Sequence, residues 1–457
     1  MRPEQNAKRL QMRRYRVPGW RREALRTTLW VIPSVMIALA VVLFVITYRV
    51  DSRIAAGSLT LPSWAVAGGS DASRQILIGI SAAMITVAGV VFSITILALQ
   101  LASQQFGPRM LRNFIRDRGT QVSLGAFVAT FTYSMLTLGS IAHASPTFVP
   151  HVSVTVALVL TFGDVGVLIY FIHHVATSIQ LTSVVAGIAG DFRTTLTELA
   201  DEAARSHVDA ADALPGIDEV RRRLESGSEV PARGSGFIQA VGHDRLVRIA
   251  AASDSVIQLL HRPGHFMADG QPLAVVWPAQ AAEDVADALT REHIVGSNRT
   301  LTQDPGFAVD QLVEVAIRAL SPAVNDTFTA LNCVDWLGDC LCRTARRPPP
   351  DGIYRDEAGA IRLVEKAITF ERLVKGAYDK VRQAGRGMPA VLIRQLENLS
   401  KIAMAVTDEG SRAVLIHHAE MILRSSDGSV AELSDRDDVR AAYDSFLRRV
   451  GLAVPAS

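Results

Sequence analysis

The sequence predicts an α-helical membrane protein: four transmembrane helices, then a cytoplasmic α+β domain and a helical C-terminal part. Three observations predict it. Four apolar stretches fall in the first 180 residues, at Leu29–Tyr48, Ile76–Leu101, Val122–Ala142 and Val152–Ala176. No comparable run follows up to Ser457, and arginine clusters alternate between the connections. Each stretch offers roughly the 20 apolar residues that a helix needs to cross a hydrocarbon core of about 30 Å. Only helices and closed barrels satisfy their backbone there, and barrel strands alternate over about 10 residues, which these continuous runs do not.

Residues 1–28 form a basic arm, 29–176 the four-span domain, 177–230 a helical connector, 231–344 the α+β domain, 345–352 a Pro-rich linker and 353–457 a helical region. The arm carries Arg2, Lys8, Arg9, Arg13, Arg14, Arg16, Arg21, Arg22 and Arg26, whereas the loop after the first span has only Arg49, Arg53 and Arg74. The second connection holds Arg109, Arg112, Arg116 and Arg118, and the third, 143–151, has no Lys, Arg, Asp or Glu. The positive-inside rule then puts both termini in the cytoplasm. A cleaved signal peptide also begins with basic residues, but the first run exceeds the usual 7–15 apolar residues and reads as a signal anchor. A net charge of +2 argues against a nucleic-acid partner.

In the second span, Gly79, Ala82, Thr86, Gly89, Ser93, Ile96, Gln100 and Ser103 recur in steps of three and four, so mostly small or polar side chains share one face. Such a face suits close helix packing or a wet path in an oligomer. In the second case Thr86, Gly89, Ser93, Gln100, Ser103 and Gln104 are the candidate pore-lining residues. The segment Phe106–Arg118 interleaves Met110, Leu111, Phe114 and Ile115 with Arg109, Arg112, Arg116 and Arg118, which suits an interfacial helix whose guanidiniums meet lipid phosphates, or a simple basic loop. Asp164 stands deep in the fourth span and His173-His174 at its end. An acid at bilayer depth is a functional candidate unless it is protonated or hydrogen-bonded, with Thr130, Thr132 or Tyr133 as available partners.

Beyond the membrane part, Phe237–Val241, Ser255–Leu260 and Pro272–Val276 read as strands and His243–Ala252 as a helix. The run Gly264–Leu273 is similar to the turns of lipoyl-like domains, with an apolar residue packing inward between two glycines, but no modifiable Lys stands beside it. Asn325, Asp326 and Thr327 interrupt two helices, where they serve as caps or as a contact loop. Cys333, Cys340 and Cys342 match no common zinc spacing, and His417-His418 has no paired ligands nearby, so neither a metal nor another cofactor is expected. The segments Ala360–Arg382, Pro389–Val406 and Gly410–Ser425 show helical spacing. No complete catalytic motif occurs, and the chain is not expected to be an enzyme.

Four runs in order resemble the bacterial membrane family known as DUF2254: Phe106–Arg118, Tyr170–His174, Arg262–Phe266 and Ala319–Thr327. The resemblance implies an inner-membrane protein and carries over no activity. The expectation from residues and resemblance together is a homo-oligomeric channel or pore-like transport protein with ions as permeants. A non-conducting membrane sensor or scaffold, whose cytoplasmic domain binds a ligand or partner, is the alternative.

Overall fold

The computed structural model describes residues 30–60, 68–106, 117–143, 149–178, 180–206 and 216–452. The chain divides into two compact units, residues 1–183 and 184–457.

In the first unit, α1 (Val31–Ala55), α2 (Ser70–Phe106), α3 (Arg118–His143) and α4 (His151–Ser178) are each long and apolar enough to cross a membrane. At 37 residues α2 is longer than the expected span of 76–101, and α1 continues through Asp51 instead of ending at Tyr48. Helix α3 packs against the other three. The interior is filled by Leu77, Phe127, Tyr133 and Phe171, all almost fully buried, while Val159, Phe162, Ile169 and Ile172 of α4 point outward. This inside-out apolarity suits helices whose solvent is lipid.

The second unit begins along α5 (Leu181–Ser206) and continues through α6 (Ile217–Leu224) into an α+β core. Its strands are β1 (Ser228–Pro231), β2 (Gly236–Val241), β3 (Val256–Leu259), β4 (Phe266–Met267), β5 (Pro272–Trp277) and β6 (His293–Gly296). Two helices, α7 (His243–Ala252) and α8 (Ala282–Glu292), alternate with them. Then come α9 (Pro305–Ala319), α10 (Thr327–Arg346), β7 (Ile353–Arg355), β8 (Ile361–Glu365), α11 (Phe370–Ala384), α12 (Pro389–Ala403), α13 (Glu409–Asp427) and α14 (Leu433–Arg449). One sheet runs β1-β5-β3-β8-β7 and the other β4-β2-β6. Ile257, Leu259, Ala274, Val276 and Leu363 bury one sheet face against Leu246, Ala250, Val285 and Leu289 of α7 and α8.

The strands and helix expected within 237–276 are present. The helical region expected from residue 353 starts only at Phe370, because Ile353–Arg355 and Ile361–Glu365 are strands. Strand β8 pairs in parallel with β3, Ile257 opposite Leu363, about a hundred residues away in sequence. Alternation in Ile361-Arg-Leu-Val-Glu365 serves a sheet edge supplied by β3, so this stretch belongs to the α+β core and not to the helices that follow. In the Gly264–Leu273 turn it is Met267 that packs inward, whereas Phe266 lies exposed.

Candidate functional sites

The first unit is closed at both ends by carboxylates that cap helices. At the end where α4 begins, Asp51 of α1 accepts hydrogen bonds from the Val152 and Ser153 N–H groups, at 2.9 and 3.0 Å, and from Ser153 Oγ at 2.6 Å. The first turn of a helix has no acceptors of its own for these N–H groups, and its dipole favours negative charge. A cap normally comes from the residue just before the helix. Here that residue is Pro150, without a side-chain acceptor, and α1 supplies the carboxylate. Tyr133 of α3 joins the network: its hydroxyl pairs with Thr47 Oγ1 at 2.9 Å and donates to the Ser153 carbonyl at 3.2 Å. Thr47, Asp51, Tyr133 and Ser153 are all buried.

At the other end, Asp117 caps α3 by accepting from Thr120 N and Oγ1, at 2.9 and 2.6 Å. The same carboxylate binds His174 Nε2 of α4 at 2.7 Å, and a Cβ on Gly119 would overlap that ring. His174 is thus a tie between helices, while His173 is exposed. Arg118, the first residue of α3, is exposed; Arg109, Arg112 and Arg116 lie outside the described residues.

Asp164 is buried, with Thr130 of α3, one of the three expected partners, close by, and its Oδ2 has no hydrogen-bond partner among the described residues. It therefore faces protein, not lipid, as the cost of a polar group in hydrocarbon requires.

The α2 stripe lies on the far side of the helix from the bundle. Leu77, Ile80, Met84, Ala88, Val91 and Ala98 are buried, whereas Gly79, Ala82, Thr86, Gly89, Ser93, Ile96 and Gln100 are exposed. No atom comes within 4 Å of a Cβ built on Gly79 or Gly89. Among the described residues, no helix of the same protomer packs closely on the stripe. Thr86 Oγ1 and Ser93 Oγ donate to the carbonyls of Ala82 and Gly89, one turn back, at 2.7 and 2.9 Å. Their hydroxyl protons are thus satisfied within the helix. Ser103 and Gln104 belong to the last turn of α2, but their side chains lie outside the described residues.

In the second unit a cavity of about 460 Å³, its open mouth included, is lined by residues from six separate stretches. His243, at the start of α7, is buried there with its ring stacked on Tyr354 of β7 at 4.5 Å. Its Nδ1 meets Glu202 of α5 at 3.1 Å and its Nε2 meets Glu365 of β8 at 3.0 Å. Burial by itself lowers an imidazole pKa, but the two carboxylates outweigh it and hold His243 at about 9. Both ring nitrogens then donate, and the imidazolium joins α5, α7 and β8.

Asp304, just before α9, is buried and receives Nε and Nη2 of Arg299 at 2.9 and 2.7 Å; Nη1 of the same guanidinium reaches Asp310 at 2.5 Å. Against Asp304 lies Gly264, at φ +90°. A Cβ there would overlap the Asp304 carboxylate. Gly264→Ala is therefore expected to destabilise the second unit by about 1–3 kcal/mol. A lower thermal midpoint of the purified chain checks this, and an unchanged midpoint contradicts it. The neighbours of Gly264 in the turn are Arg262, whose Nε donates to His265 Nε2 at 3.0 Å, and His265 itself. Burial first, then Arg262 and Arg372, push the His265 imidazole down to about 4, leaving it a neutral acceptor.

Between α9 and α10, Asp326 is a cap: it accepts from Thr329 N at 3.1 Å and Thr329 Oγ1 at 2.5 Å. Asn325 takes the left-handed backbone, φ +50°, that the tight entry requires, and Thr327 is the first helical residue. Cys333 and Cys340 are buried along α10, where burial pushes both thiols up to about 12. They behave as small hydrophobes.

Sequence reasoning had named Asp164, His174, the stripe and Asp326, but not Asp51, Asp117, His243, Glu202 or Glu365. Asp51 carried a weak signal, an acid four residues after Thr47 and in line with Pro33 and Ala40 on one helix face. The His243 cluster carried none, since its members are 41 and 122 residues apart.

The family described as "Predicted membrane protein (DUF2254)" matches residues 26–401. Uncharacterised proteins of Mycobacterium bovis and Mycobacterium tuberculosis are 33% identical over 384 residues, covering 81% of this chain and 71% of theirs. No solved structure matches.

Proposed function

The chain belongs to the DUF2254 family of predicted membrane proteins, and we propose that it acts as a homo-oligomeric, pore-like transport protein of a bacterial inner membrane. In this reading both termini are cytoplasmic, α2 lines a path on the symmetry axis, and the second unit is its gate or filter. The observation that carries it is the outward stripe of α2. Its small residues allow close approach of copies, and Ser93 and Gln100 offer polar groups to a permeant ion. A protomer filled by Phe127, Tyr133 and Phe171 leaves the path to run between subunits. The arginines of the arm and of the second connection support the orientation. No catalytic step is part of this reading.

Purified protein in planar bilayers is expected to conduct, and Gln100→Leu to lower single-channel conductance severalfold while the oligomer persists. Silence across voltage, tension and pH, or a Gln100→Leu effect confined to assembly, overturns the pore. The cavity beside His243 favours a second reading, a non-conducting membrane-anchored sensor whose second unit binds a small ligand. Ligand binding in a silent protein is its signature.

A further inference from the structure

Arg262 stands at the wall of the second unit's cavity without a counter-ion. Its Nε is used by His265, and among the described residues no carboxylate comes within ion-pair distance of its guanidinium. The acids on the same wall are already engaged: Glu365 holds His243 at 3.0 Å and Asp304 holds Arg299 at 2.7 Å. The second oxygen of Glu365 is buried, and no described group reaches it. Lys366, beside Glu365 at the cavity, is exposed and unpaired. Arg262 and Lys366 thus line the cavity without a direct ion-pair partner among the described residues, although His243 and Arg299 are each held by two carboxylates. Burial and the nearby Arg372 disfavour the charged guanidinium and outweigh the more distant attraction of Asp304 and Glu365, so that its pKa lies below its ordinary value. A half-buried guanidinium with open donors calls for a planar or tetrahedral oxygen acceptor, and a charge-assisted bond is stronger away from bulk water. Pro263, Pro305, Pro349 and Ile368 make the rest of the wall apolar, so a short organic body has a place beside the anionic head.

We propose that this cavity binds a small oxyanion, a phosphate or a carboxylate, on the Arg262 guanidinium, with Lys366 at its mouth. The proposal deepens the reading of the second unit as a ligand-responsive gate or sensor, and it does not depend on conduction. It is tested by isothermal titration of the full-length chain in uncharged detergent with inorganic phosphate and, separately, acetate, at ionic strength fixed with chloride. Saturable binding of at least one of the two is expected, with the better ligand telling phosphate from carboxylate. Arg262→Gln should weaken it about tenfold or more and Lys366→Ala about threefold, while Arg386→Gln, an exposed arginine outside the cavity, leaves it unchanged. Circular dichroism verifies the fold of each variant, and Lys366→Ala, at an exposed position, carries the test if Arg262→Gln does not fold. The proposal is overturned if neither anion binds above the chloride background, or if folded Arg262→Gln, or failing that Lys366→Ala, binds as the wild type does. Because binding is read without current, its failure and that of the pore are separate results.

Discussion

Replacing His243 by leucine is expected to destabilise the second unit by about 3–5 kcal/mol, the usual cost of removing one partner from a buried charge cluster. The imidazolium is 2% exposed and lies between the carboxylates of Glu202 and Glu365, at 3.1 and 3.0 Å. Leucine fills the volume but leaves two acids facing each other around an apolar side chain. Each then has to be protonated or drawn toward solvent, and α5 loses its tie to α7 and β8. Denaturant unfolding of the full-length chain, followed by tryptophan fluorescence, to which Trp277 in β5 contributes, reads the change. Adding Glu202→Gln and Glu365→Gln to His243→Leu should recover part of the loss, because the repulsion disappears with the charges. A single variant that unfolds at the wild-type midpoint would show that the cluster contributes nothing.

The same cluster gives a pH dependence of definite sign. In the folded chain the His243 pKa lies at about 9, above its ordinary 6.5. The cluster therefore contributes its full stability below pH 6.5 and loses it as the pH rises through about 9. The facing groups are Glu202 on α5, Glu365 on β8, the stacked Tyr354 on β7 and His293 at the start of β6. Tyr354 and His293 do not reverse the trend. Burial, then the nearby carboxylates, push the Tyr354 pKa upward, and burial pushes that of His293 down. Wild-type stability should thus decline between pH 7 and pH 10, and the His243→Leu variant should show a flatter profile over that range.

Asp51→Ala is the corresponding break in the first unit, with an expected loss of about 2–4 kcal/mol. A helix cap alone contributes about 1 kcal/mol, and a buried carboxylate that accepts from two N–H groups and a hydroxyl contributes more. Removing it leaves the Val152 and Ser153 N–H groups without acceptors in a place where Thr47, Tyr133 and Ser153 are buried. Asp51→Asn retains an acceptor oxygen and should fall between wild type and alanine. Loss of the monodisperse peak on heating in detergent measures both variants. Equal behaviour of Asp51→Ala and wild type would mean that the carboxylate is replaceable by water.

Hydropathy alone located all four spans, since the bilayer demands long apolar helices whatever their neighbours are. Their ends were less legible: α1 runs on to Ala55 because Asp51 is needed against α4, a demand that arises 101 residues away. The period of the α2 stripe was readable from residue spacing, but not its direction. Which side of a helix faces the bundle depends on what α3 offers it, and α3 takes the side with Leu77, Met84 and Val91. In the second unit, local alternation and turn residues were sufficient for β2, β3, β5 and α7. Helix α14 lies within the helical region expected over 353–457, whereas β7 and β8 depart from it, because β8 becomes a strand only when β3 lies beside it.

By itself, then, the sequence determined a four-span membrane protein with an α+β and helical tail, since those properties follow from composition and short-range periodicity. The tertiary structure decided which side chains meet: Asp51 with the start of α4, Asp117 with His174, and His243 with Glu202 and Glu365. It also left Arg262 open at a cavity. A charge is quiet or consequential according to its partners, and partners separated by 41 to 122 residues are brought together only by the packing of the elements that carry them.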